Sequence, residues 1–254
     1  MGRQKYVLAN WKMHQGQEEA RRWVATVLAG LGSASHVQAV VLPPFTALAA
    51  VSAALLRTPV ALGAQDVYPL AEGNVTGEIG TSLLTDVGVE YVLIGHSERR
   101  QLLGENDALV ARKVAQVLAA DMTPVVCVGE DATERSEGRT DAVIRRQTAG
   151  AVESVQAASL PRIMWAYEPV WAVGTDEPAA AEQAADVAAT LRSVLRSRFG
   201  EEAQAANCHV LYGGSVELGN IASFAHATGV DGVLVGRSSL HAERFLEMLE
   251  AVGS

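Results

Sequence analysis

Short apolar runs alternate with longer alanine-rich stretches along this chain. The runs span residues 6–10, 37–42, 60–65, 91–95, 124–129, 163–168, 209–213 and 232–236. Neighbouring positions within them are apolar together, as in Val40-Val41-Leu42 and Val92-Leu93-Ile94. A strand wet on one face would alternate apolar with polar, so these runs predict strands covered on both faces, as parallel strands are. The stretches between them carry helical spacing. Residues 18–31 set Trp23, Val27 and Leu31 on one stripe, and residues 107–120 do so with Leu109, Val110, Val114, Val117 and Leu118. Residues 186–199 turn Val187, Leu191, Val194, Leu195 and Phe199 inward, and residues 243–252 turn Phe245, Leu246, Leu249 and Val252 inward. Strands spaced about 30 residues apart have the period of a βα unit. Two architectures fit: a closed (βα)8 barrel and an open doubly wound sheet. The count of eight and the length favour the barrel, as a single domain over residues 1–254.

Composition narrows the class. The 254 residues are 49% hydrophobic and 19% charged, enough to bury one large core. The net charge of −9 argues against broad binding to nucleic acid or to an anionic membrane surface. Cys127 and Cys208 are too few for a disulfide framework and lack paired metal-ligand spacing. No apolar run reaches the roughly 20 residues of a membrane span, and no basic-then-apolar leader opens the chain. The expectation is a cytoplasmic enzyme with a metabolic substrate. Asn74-Val75-Thr76 fits the glycosylation pattern, which has no weight without a secretory signal.

In a barrel, chemistry sits on the loops after the strand C-termini, and several strand ends here carry it. The first run ends in Asn10-Trp11-Lys12. Lys12 is either a surface lysine or a fixed positive charge at the barrel mouth, suited to phosphate or a developing oxyanion. The fourth ends in Gly95-His96-Ser97-Glu98-Arg99-Arg100. His96 precedes a helix, whose N-terminal partial charge disfavours an imidazolium; a neutral ring there can still donate to a carbonyl. The sixth runs into Glu168-Pro169-Val170-Trp171-Ala172-Val173-Gly174-Thr175. This apolar loop reads either as permanently packed or as a lid, and closing a lid over Glu168 would strip water from the carboxylate and raise its basicity. The seventh and eighth end in Gly213-Gly214-Ser215-Val216 and Gly236-Arg237-Ser238-Ser239. Such glycines let backbone N–H groups approach an anion, with following helix N-termini adding to the field. No histidine falls in a zinc spacing, and no P-loop or G-x-G-x-x-G occurs.

Taken in order, these motifs closely resemble the triosephosphate isomerase family. Gly63-Ala64-Gln65, Thr76-Gly77-Glu78 and Cys127-Val128-Gly129-Glu130 add to the match, which spans essentially the whole chain. The resemblance implies a TIM barrel that interconverts dihydroxyacetone phosphate and glyceraldehyde 3-phosphate, in glycolysis and gluconeogenesis. This family is itself a standard example of tuned acid–base chemistry, and the resemblance implies the same roles for the matching residues. Glu168 matches the base, His96 the neutral electrophile and Lys12 the cation, with Asn10 as polar neighbour and Glu98 near Lys12. The backbone N–H groups of Gly174, Ser215, Gly236 and Arg237 would grip the phosphate. The chemistry calls for no metal or redox cofactor. Family members pair as homodimers, and here the loop of residues 65–80 would insert beside the partner's site. Thr76 would reach the partner, with Met13 and His14 under the inserted loop.

Three positions depart from the family pattern. Asp66 stands where Asn is commoner, Asn74-Val75 where Ala-Phe is usual, and Arg237 where a second glycine is usual. Losing the aromatic anchor would weaken a dimer unless His14 and Tyr68 repack. Arg237 would be strained only at positive φ. Cys127 matches a structural thiol packed near the base. A Schiff-base enzyme of the same fold would need a lysine within a core strand. Lys5, read as preceding the first strand, and Lys113, read as helical, do not supply one.

Overall fold

The computed structural model describes residues 3–32, 37–175, 178–200 and 208–254. Eight parallel strands close into a barrel in sequence order, with β8 hydrogen-bonded to β1. They are β1 (Lys5–Asn10), β2 (Val37–Leu42), β3 (Ala61–Ala64), β4 (Tyr91–Ile94), β5 (Thr123–Val128), β6 (Met164–Tyr167), β7 (His209–Tyr212) and β8 (Gly232–Val235). The open-sheet alternative is thereby excluded.

Both faces of the strands are indeed apolar, and they feed two separate cores. Leu8, Val40, Leu93, Val125, Met164, Leu211 and Leu234 fill the barrel interior. Val7, Ala9, Val41, Val92 and Val126 point outward into the layer beneath the helices. Leu8 stands level with Val40 on one side and Leu234 on the other. This alternation aims Asn10, two residues beyond Leu8, at the barrel mouth.

The helices are α1 (Gln17–Gly30), α2 (Leu48–Leu55), α3 (Thr81–Asp86), α4 (Ser97–Leu103), α5 (Asp107–Ala119), α6 (Ala132–Ser136), α7 (Thr140–Ala151), α8 (Ala181–Phe199), α9 (Ile221–Ala225) and α10 (Ala242–Gly253). The Asn106 side chain accepts the Leu109 N–H at 2.9 Å, capping α5. Several expectations need adjustment. Leu31, Leu109, Phe199 and Leu246 are only half-buried, while Met248 is fully buried. Leu31 lies past the end of α1 in extended backbone and so leaves the helix's inner stripe.

The runs predicted to end at Gln65, Gly95, Gly129, Glu168, Gly213 and Gly236 all stop one residue short. Two of these residues still make one further ladder-like bond. Glu168 N–H donates to Val128 O and Gly213 N–H to Tyr167 O, each at 2.8 Å. The rim is thus held by the barrel while its side chains are released into the mouth. Lys5 is corrected too: it opens β1, paired with Val37, and its Nζ donates to Ala225 O and Val230 O. It sits at the end of the strand away from Asn10 and supplies no mouth amine.

Candidate active site

A cavity of about 370 Å³ opens at the C-terminal ends of the strands. Asn10, Lys12, His96, Glu98, Glu168, Gly174, Ser215, Gly236 and Arg237 all line it. His14 reaches it as well, whereas Met13 and Thr76 do not. Residues from five different strand ends converge here, as the barrel architecture requires of a site.

Glu168 is 2% exposed and His96 5%, so their encounter is shielded from water. Glu168 Oε1 lies 3.2 Å from His96 Nε2, and Oε2 accepts the Ser97 N–H at 2.9 Å. His96 is the residue capping α4, and its Nδ1 accepts the Glu98 N–H at 3.2 Å. A ring nitrogen that accepts carries no proton, which leaves the hydrogen on Nε2, facing the cavity. With Nδ1 engaged by the start of α4, a neutral ring would present its Nε2 hydrogen to the cavity. Gly213 makes room for the Glu168 side chain, since a Cβ there would come within 2.9 Å of Glu168 Cγ.

Lys12 occupies left-handed backbone at φ 52°, rare for a side chain with a Cβ. Two side chains hold it there. Asn10 Oδ1 accepts the Lys12 N–H at 3.1 Å, and Gln65 Nε2 donates to Lys12 O at 2.8 Å. Lys12 Nζ pairs with Glu98 Oε1 at 2.5 Å, both groups partly exposed. Glu98 Oε2 also lies 3.5 Å from His96 Nδ1, so one carboxylate borders both cationic and neutral partners.

The loop after Glu168 contains a short turn, Val170–Ala172, with Ala172 fully buried and Gly174 and Thr175 exposed. Its buried end is anchored by Glu130, which is 0% exposed. Glu130 accepts from Trp171 Nε1 at 2.9 Å and from the Tyr167 hydroxyl at 3.2 Å. Burial, reinforced by the Glu130 charge, pushes the Tyr167 hydroxyl far above its ordinary range and keeps it a donor. Arg135 lies over the Trp171 ring, 3.7 Å from its centroid. Gly174 sits at φ 73°, a conformation that favours glycine.

On the opposite wall, the expected helix N-termini are replaced by tighter turns. Residues 213–220 form bends and a turn before α9 begins at Ile221. After β8 comes a four-residue 3-10 turn, Arg237–Leu240. Within it the Ser239 N–H donates to Gly236 O at 3.0 Å. Arg237 is not among the residues with positive φ, so it carries no left-handed strain, and its side chain is exposed.

Cys127 is buried in the barrel interior. Burial first, and then the neighbouring Glu168 charge, raise its thiol well above the usual value. It stays protonated and is no nucleophile. Among the described residues, no cluster of three or more His, Cys, Asp or Glu is placed to hold a metal ion.

A family model described as triosephosphate isomerase matches residues 5–252. A triosephosphate isomerase of Chloroflexus aurantiacus is 43% identical over 243 residues, 96% of this chain and 97% of its own length. One of Rhodopirellula baltica is 41% identical over 254 residues, the whole of both chains. A third, of Symbiobacterium thermophilum, is 42% identical over 245 residues, 96% of this chain and 95% of its own.

The chain belongs to the triosephosphate isomerase family.

Several residues of this triosephosphate isomerase family member matter to the site but escape sequence reasoning. Ser97 supplies a backbone donor to Glu168, and Gln65 holds the Lys12 carbonyl. Glu105 accepts the Gly95 N–H at 3.1 Å, one residue before His96. Glu105 also closes a ring of charges with Arg99, Asp66 and Lys113. Lys113 is on α5, as expected, yet it is buried rather than solvent-facing. Its place on the stripe of Val110, Val114 and Val117 was the signal that could have found it.

Proposed function

We infer that this protein interconverts dihydroxyacetone phosphate and glyceraldehyde 3-phosphate, and that Glu168 is the base. The observation carrying this reading is the convergence of Glu168, His96 and Lys12 on one cavity. Glu168 takes a proton from the carbon next to the carbonyl, and the released electrons form an enediolate. His96 donates Nε2–H to the carbonyl oxygen and shuttles the proton between the two oxygens. Its Nδ1, accepting from Glu98 N–H, supports the neutral form that this role needs. Lys12, steadied by Asn10 and paired with Glu98, offsets the enediolate and phosphate charge. Glu168 then returns the proton to the neighbouring carbon. Backbone N–H groups of Gly174, Ser215, Gly236 and Arg237 hold the phosphate. The loop of residues 169–175 covers the intermediate and excludes water.

The activity places the protein in glycolysis, and the same reversible step serves gluconeogenesis. We read residues 1–254 as one domain, working in the cytoplasm. Among the described residues no helix is long and apolar enough to cross a membrane. A homodimer is the proposed working form. Met13 is 95% exposed and Leu83 55%, and both apolar chains call for cover. Thr76 and His14, also exposed, would complete that contact.

A coupled assay with glyceraldehyde 3-phosphate tests the activity. Glu168→Asp shortens the base by one methylene and withdraws it from the reacting carbon. Its kcat should fall by about a hundredfold or more with KM little changed. Unchanged turnover in purified Glu168→Asp would sink the assignment.

A further inference from the structure

Gly129 follows the last residue of β5 and lies against the backbone of Glu168. A Cβ at this position would fall 1.7 Å from Glu168 O, so only glycine permits the approach. Beyond the strand ladder, its backbone groups need other partners. One side chain takes both. The Gly129 N–H donates to Gln147 Oε1 at 2.8 Å, and Gln147 Nε2 donates to Gly129 O at 3.2 Å. Gln147 comes from α7, on a core-facing stripe with Val143, Ile144, Thr148 and Ala151. A buried carboxamide on such a stripe costs stability unless it is paired, and here its pairing is spent on a single residue.

The next residue, Glu130, carries the lid. Besides accepting from Trp171 and Tyr167, its carbonyl accepts the Val170 N–H at 3.0 Å. Gly129 and Glu130 therefore form one footing under both the main chain of the base and the near end of the loop that covers it. Gln147 fastens that footing to the helical layer.

We propose that Gln147 is a positioning residue for the isomerisation, setting the base and the lid through Gly129. The inference rests on the reading of Glu168 as the base. Gln147 touches no substrate; it acts by denying Gly129 the freedom to shift. A carboxamide offers one acceptor and one donor, matching the two backbone groups of Gly129. Methionine has similar length and volume but satisfies neither.

The test compares wild type with Gln147→Met for kcat, KM and the primary deuterium isotope effect on kcat. The substrate is deuterated at the carbon that gives up its proton. A base displaced by a fraction of an ångström slows proton transfer, so kcat should fall about ten- to a hundredfold while KM stays within about threefold. The isotope effect should rise above the wild-type value because proton transfer becomes more limiting. It is a ratio taken on one protein sample, so a smaller folded fraction leaves it unmoved. A wild-type isotope effect, with any loss of kcat matched by loss of folded protein in circular dichroism, overturns the proposal. Gln147→Glu gives a second reading, since it keeps the acceptor for Gly129 N–H and gives up the donor. If Gln147→Met does not fold, a raised isotope effect in Gln147→Glu supports the proposal and a wild-type value overturns it. A wild-type protein that fails to isomerise glyceraldehyde 3-phosphate would instead overturn the reading of Glu168.

Discussion

Lys113→Met should cost this protein much of its stability while leaving the site chemistry nearly intact. Lys113 Nζ lies 2.6 Å from Asp66 Oδ1 and 3.0 Å from Glu105 Oε2. Arg99 bridges the same two carboxylates at 2.7 and 2.8 Å, completing a ring of two cations and two anions. Three of the four side chains are under 10% exposed: Lys113 at 3%, Asp66 at 9% and Glu105 at 1%. Methionine fits the space but leaves two buried carboxylates sharing one arginine. Removing one partner from a buried ion pair costs about 3–5 kcal/mol. For a chain of this size each kcal/mol lowers Tm by ~2–4 °C, so the expected drop is roughly 6–20 °C.

The pH dependence of that loss follows from the two carboxyls. Burial alone would raise Glu105, but Lys113 and then Arg99 outweigh it and hold its pKa below the ordinary 4.5. A depressed carboxyl gives stability that is present above 4.5 and lost as pH falls through its lower folded value. Asp66 is shifted the other way, raised chiefly by burial against the pull of Lys113 and Arg99. Its charge costs stability at neutral pH, and acid relieves that cost. Without Lys113 both carboxyls move upward, so acidification helps the variant more than the wild type. The Tm gap should be widest near pH 7 and narrow as pH falls through the variant's raised carboxyl values toward the lower folded value of Glu105 in the wild type. Circular dichroism melts at one fixed protein concentration measure it. A drop under about 3 °C at pH 7, or a gap that does not change with pH, would refute the reasoning.

Two further outcomes are expected. Arg237→Gly should raise KM several-fold with kcat retained if the guanidinium meets the phosphate, and an unchanged KM assigns that side chain to solvent. If the proposed homodimer forms through residues 65–80, dilution should lower specific activity, because Asn74-Val75 supplies no large aromatic anchor; a dimer still intact by sizing at nanomolar concentration excludes this.

The barrel was legible because its strands are apolar on two faces, a demand that an open surface never makes. The eight-strand count and order followed directly from the runs. The short helices α3, α6 and α9, of five or six residues, are too brief for periodicity to reveal. At Glu168 and Gly213 the strand end was misplaced by one residue because each keeps one ladder bond after leaving the sheet. The site was legible where chemistry-bearing residues stand at strand ends, and illegible where it depends on partners far away in sequence. Gln147 lies 18 positions from Gly129, and Lys113 lies 47 from Asp66. No local spacing links such pairs. A weaker signal was still present, since Lys113, Gln147 and Thr148 are polar residues on apolar helical stripes. Gln147 and Lys113 proved to be paired, whereas Thr148 Oγ1 has no hydrogen-bond partner among the described residues. A polar residue on such a stripe thus marks a place to look for a partner without naming it.

The charge balance gains meaning from Lys12. A chain of net charge −9 must bind a dianion against its own mean field. Interactions between exposed charges fade beyond about 8 Å at physiological salt, so the attraction has to be local. Lys12 is a cation on the cavity wall, yet Glu98 already sits 2.5 Å from its Nζ. That pairing balances the ammonium locally, and on the proposed role of Lys12 a phosphate would compete with a partly exposed carboxylate. Placing the ammonium there requires the left-handed backbone at φ 52°, a strain of about 1–2 kcal/mol. Asn10 and Gln65 hold that backbone from its N–H and C=O sides. Either residue could be lost without removing a charge, and the lysine would then be free to relax out of the cavity. On the proposed role of Lys12, Asn10→Ala or Gln65→Ala should therefore raise KM without removing a charge, and an unchanged KM in both variants would refute this.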